Sequence, residues 1–147
     1  MGANGSKGKG LLEDPKNRNY HTVLEISNNI VVVEANNKKA NVKLPEESHT
    51  PNHIYVVINK PATDTKGQND PYAGKLKSLA VYGNDCKKLF EIHVDHSHNG
   101  LPVHYHPWEN GHPVKCGIGK NAHNKALQLT SEMNKLLDFV KNKVPHV

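Results

Sequence analysis

Six of the eleven histidines fall in twenty consecutive residues, HVDHSHNGLPVHYHPWENGH, from His93 to His112. Imidazole changes charge near neutral pH and also ligates metals, so a dense group of these rings beside a carboxylate, Asp95, is a pattern of active or metal sites. In an extended segment alternate side chains share a face. His104 and His106 then point one way, and Val103 and Tyr105 the other. His93 and Asp95 share a face of the preceding extended stretch. His96 and His98 follow its end, within reach of His104 and His106.

Three chemistries fit. In the first, the cluster cleaves RNA by acid–base catalysis. RNA supplies its own nucleophile, the ribose 2′-hydroxyl, so the protein needs only a base, an acid and cations for the phosphorane charge. His96, His98, His104 and His106 are the candidate catalytic rings and Asp95 orients one of them. Lys75, Lys115 and Lys120 are the candidate phosphate contacts, and no metal or other cofactor is required. In the second, HxH pairs on a strand hold a divalent first-row metal, with Asp95 or His112 completing the shell. In the third, the rings are solvated loop residues or neutral hydrogen-bonding spacers. Trp108 either anchors its loop to the sheet or stacks on a base. Lys120 follows a Gly-Ile-Gly stretch ahead of a predicted helix, where a phosphate can bind. Cys86 and Cys116 stand without the neighbours of a catalytic thiolate and read as structural or incidental; they are able to form one bridge.

The whole chain supports an anionic partner. Nineteen basic and fourteen acidic side chains give +5 at pH 7. Residues 75–147 carry ten basic and six acidic groups and eight of the histidines, so the C-terminal half is the electropositive one. A polyanion such as RNA is the natural partner class. Mean hydropathy is −0.70 and no apolar run approaches the ~18 residues of a membrane span. The first thirty residues lack the apolar core of a Sec signal.

Elements that position the cluster are legible by periodicity. Residues 29–34, 53–59, 75–82 and 88–95 read as strands, the last two as a hairpin across the turn at 83–85. Residues 36–37 read as a turn, with 40–44 pairing back on the first strand. Residues 45–52 and 60–74 read as loops, 102–106 as a short extended piece and 107–119 as a loop. Apolar residues at spacings of three and four predict a helix over 121–143, ended by Pro145. Residues 1–12 read as a flexible leader or linker end, and 13–147 as one domain. The fold class is α+β: a small antiparallel sheet of about five strands with a C-terminal helix packed on it.

Two resemblances follow from these motifs. LPEESHTPNHIY at 44–55, with EIHVDHSHNG and VHYHPW, resembles C-terminal domains of bacterial polymorphic toxins and phage structural proteins, over roughly residues 44–108. That resemblance implies a barnase, EndoU, colicin or RelE-like nuclease fold. It further implies metal-independent RNA cleavage, a cognate immunity protein, and action in the cytoplasm of a target cell after delivery. A non-catalytic histidine-rich metal-binding or phage structural module is the alternative of another class. DHSHNG at 95–100 is similar to the entry motif of His-Me finger (HNH) nucleases. It implies one divalent ion held by Asp95, His96 and His98, with His96 as general base, DNA as substrate, and Asn121, His123 or Asn124 completing the site.

Overall fold

A computed structural model describes residues 20–36, 42, 44, 47–48, 51–59, 73–98 and 100–147. The leader and nearly all of the 60–74 loop lie outside them. The described chain forms a seven-stranded mixed sheet whose spatial order follows chain order: β1 (Tyr20–Ser27), β2 (Ile30–Ala35), β3 (Ile54–Ile58), β4 (Leu76–Tyr82), β5 (Lys88–His93), β6 (His104–Glu109) and β7 (His112–Pro113). A two-stranded ribbon, β8 (Lys115–Cys116) with β9 (His123–Asn124), precedes one helix, α1 (Ser131–Lys141). The α+β class holds, with more strands than the five expected. No helix among the described residues is long and apolar enough to cross a membrane.

Runs of β-branched residues build the centre. Ile30–Ala35 and Ile54–Ile58 pair in parallel, Val32 opposite Val56, so the sheet is mixed rather than antiparallel. β1 closes on β2 as a hairpin at Asn28 and Asn29, with Ser27 opposite Ile30. The neighbours of β2 are therefore β1 and β3; the 40–44 segment lies outside the described residues except for Val42 and Leu44, which pack on a sheet face. The hairpin expected from β4 and β5 is present, Leu79 opposite Ile92.

Alternation divides the sheet into two faces. Ile30, Val32, Val56, Leu79 and Ile92 pack against Leu137, Val140 and Val144, under the helix. Val31, Val33, Tyr55, Val57, Ala80 and Tyr82 form the core of the opposite face.

The helix is shorter than its apolar spacing predicts. Thr130 caps it, its hydroxyl accepting the Met133 N–H at 3.2 Å, a residue type favoured at helix starts. Upstream the chain is extended: Tyr105 and Leu127 exchange backbone hydrogen bonds at 2.9 and 3.0 Å. Cross-strand bonding to β6 and β8 thus overrides the helical spacing of Ala126 and Leu129. Likewise the 107–119 loop is partly strand, since β6 continues to Glu109 and pairs with β7.

Candidate functional site

The helix-free face carries the site. Opposed residues point to the same side of an antiparallel pair. His93 lies opposite His104, and Glu91 opposite His106. Ser78 opposes His93 and Val57 opposes Ser78, which places the imidazoles on the same side as the Tyr55 and Val57 core. His104 and His106 share this face while Tyr105 packs on the helix side, as alternation predicts. A short turn then folds His98 back: His98 and Leu101 exchange backbone hydrogen bonds at 3.0 Å. Gly100 sits at φ 79°, in the left-handed region, where a residue without Cβ is at ease.

Five rings converge. His104 lies 4.9 Å from His106, 5.1 Å from His96, 5.5 Å from His93 and 5.6 Å from His98, centroid to centroid. His93 is 4.8 Å from His106 and 5.2 Å from His96. Two trios bring ligand atoms within 4.8 Å of one another: His93, His96 and His104, and His98, His104 and His106. Asp95 is not among those ligands. It accepts a hydrogen bond from His96 Nδ1 at 2.7 Å. The trio Asp95, His96 and His98 implied by the His-Me finger resemblance is not one of the converging sets.

Hydrogen bonds fix one nitrogen of His93, His96 and His106 and leave the other open. Glu91 Oε1 holds His93 Nε2 at 3.0 Å, while His93 Nδ1 is buried without a partner. The Lys125 carbonyl accepts from His106 Nδ1 at 2.8 Å, which leaves Nε2 as the lone-pair nitrogen. His104 is 0% exposed, and neither of its ring nitrogens has a hydrogen bond of normal geometry. Burial, then the charges of His106, His93 and His96, push its pKa down to about 4, against a smaller opposing pull from the Leu101 backbone. Burial also lowers His106, against the pull of the Lys125 carbonyl. Both effects keep the imidazoles neutral, the form that binds metal or accepts a proton.

Beneath the rings lies a charge pair that the histidine pattern alone does not disclose. Lys88 is 3% exposed and bonds Glu91, with its ammonium 4.0 Å from the centre of the Trp108 ring. Burial pushes the Glu91 carboxyl up, but His93 and Lys88 together outweigh it and hold the pKa down at about 2. Trp108 is thus engaged by Lys88 from within the fold. The signal for Glu91 and His93 was the polar half of the β5 alternation.

The remaining candidates are spread wider. Lys75 precedes β4, at the sheet end where the Val94 N–H meets the Lys77 carbonyl. Lys115 donates to Asn124 Oδ1 at 2.6 Å on the exposed ribbon. Lys120 is exposed in a 3-10 turn, Gly119–Asn121, ten residues ahead of α1 and not at its N-terminus. Cys86 and Cys116 are both free thiols. Cys116 is not isolated, because its Sγ lies 2.9 Å from His123 Nε2, with His123 Nδ1 on the Asn121 carbonyl. The His123 ring is 6.3 Å from that of His98, at the margin of the pocket.

No protein-family model, curated protein or solved structure matches the chain.

Proposed function

We propose that the five-histidine pocket is the metal-dependent active site of a nuclease of the delivered-toxin type. The observation that carries this reading is His104: a buried, neutral imidazole with both nitrogens open, beside His93, His96 and His106, each of which has one nitrogen fixed by an oxygen acceptor. Metal-bound histidines have this second layer, in which a carboxylate or carbonyl fixes the tautomer and aims the lone pair. An unpartnered buried nitrogen otherwise costs about 1–3 kcal/mol, and a metal ion removes that cost. Imidazole sets suit zinc, copper, nickel and iron.

A divalent ion held there supplies Lewis-acid polarisation of a phosphoryl oxygen and an activated water. The chain's own groups do the rest. His96, about half exposed and oriented by Asp95, stands at the rim with its other nitrogen left for the ion, so the site meets solvent and substrate there. The basic C-terminal half draws a polyanion to the pocket. An immunity protein that masks the rim fits the same reading, since the exposed rings are the accessible part of the site.

Metal-free RNA cleavage is the second reading. It is favoured by the pairing of a neutral ring, His104, with an Asp95-oriented ring, His96, 5.1 Å away. Incubation with total RNA and with plasmid DNA, with and without EDTA, separates the two. Cleavage abolished by EDTA and restored by zinc or nickel supports the metal-dependent reading. RNA cleavage that persists in EDTA overturns it in favour of the second. No cleavage of either polymer under any metal overturns both nuclease readings.

A further inference from the structure

We propose that the pocket holds two metal ions bridged by His104. This deepens the metal-dependent reading and rests on it. The two converging trios have one member in common, and it is His104. That residue is also the only one of the five rings with both nitrogens buried and unpartnered. A ring serving a single ion needs one open nitrogen and an acceptor on the other, as His106 has in the Lys125 carbonyl. A ring serving two ions needs both nitrogens open. His104 has the second arrangement.

The assignment of ligands follows. One ion takes His93 Nδ1, the nitrogen left open by Glu91, with His96 Nε2, left open by Asp95, and His104. The other takes His106 Nε2, His98 and the second nitrogen of His104. Each ion has three protein ligands and so keeps a position for water or substrate. On loading, neutral His104 loses its ring proton to solvent and becomes an imidazolate. Two metal–nitrogen bonds of about 2.0–2.1 Å on either side of a ring set the ions about 6 Å apart. That is wider than the ~3.5–4 Å of sites that clamp one displacement between two ions. The two ions are also unequal. The first is backed by two carboxylates, Glu91 and Asp95, and the second by a backbone carbonyl, so the first is the tighter site.

Metal content and magnetic coupling test this. The full chain is stripped with chelator, loaded with zinc or copper(II), passed through a weak competing chelator and analysed for metal. Two equivalents are expected. Two bound copper ions coupled through His104 should lose most of their electron paramagnetic resonance signal. His93→Gln and His98→Gln should each keep one equivalent and regain a full single-copper signal. Both positions are partly exposed, and circular dichroism confirms that each variant is folded. Two uncoupled coppers, or two equivalents retained in either variant, overturn the bridge. A single equivalent overturns the two-ion proposal and leaves the metal-dependent reading standing. No retained metal overturns both.

Discussion

Replacing His104 with leucine should make the metal-free protein more stable. The ring is fully buried and its two nitrogens lack partners. Each such group costs about 1–3 kcal/mol, so the pair costs ~2–4 kcal/mol when their small separation is allowed for. Leucine fills a similar volume without polar atoms. It also gives up the edge contacts with His96, His98 and His106, worth about 1.5–3 kcal/mol together. The net expectation is a gain of about 1 kcal/mol, or ~2–4 °C in Tm for a chain of this size. The assay is urea unfolding of wild type and His104→Leu in EDTA, followed by the same pair with zinc. In zinc the order should reverse, because wild type, with His104 completing both ligand sets, binds zinc more tightly and gains more stability. A loss of more than about 1 kcal/mol in EDTA would show that the ring makes stabilising contacts, and the argument from its open nitrogens would fail.

Three further outcomes follow from the same geometry. His104 in the folded state titrates near 4 instead of 6.5, so the unfolded chain binds more protons between these values. Stability attributable to this ring is therefore complete above about pH 6.5 and is lost as pH falls toward 4. The full shift is worth at most about 3 kcal/mol, and screening by the solvated rim reduces it to ~1–2 kcal/mol, readable in urea midpoints of metal-free protein at pH 7 and pH 4.5. Lys88→Met should cost about 1–3 kcal/mol by leaving the partly exposed Glu91 without its ammonium, and adding Glu91→Gln should recover part of the loss; equal stability of Lys88→Met and wild type would contradict the pair's role. Leu137→Ala, under the helix on the opposite face, should lower stability by ~2–5 kcal/mol while leaving metal stoichiometry unchanged at low denaturant. A change in stoichiometry there would contradict the separation of core and site between the two faces.

The strands that carry the site were legible because their alternation is strong. Phe90 and Ile92 face the helix side, and Glu91 and His93 the other; the same rhythm sets Tyr105 against His104 and His106. Convergence of His96 and His98 on β6 followed from their position after a strand end. The parallel pairing of β2 with β3 was not legible, because it depends on a crossover and not on either strand's own residues. β1 carries little signal because YHTVLEIS is half exposed and mixes polar with apolar residues, and the Asn28–Asn29 turn has the same composition as the Asn36–Asn37 pair. The helix was drawn too long because residues 121–129 have helical spacing but find backbone partners in β6 and β8. Thr130, a good cap, marked the true start. Cys116 meets His123 only through the pairing of β8 with β9, which two-residue strands do not announce.

X-ray absorption at the zinc edge tests the central claim, that these imidazoles form a metal centre, most directly. Zinc-loaded wild-type protein should show nitrogen scatterers at about 2.0–2.1 Å with the outer-shell pattern of at least three imidazoles. The His93→Gln, His98→Gln double variant should lose that pattern. A shell dominated by oxygen, or a spectrum that the double variant leaves unchanged, would contradict the account.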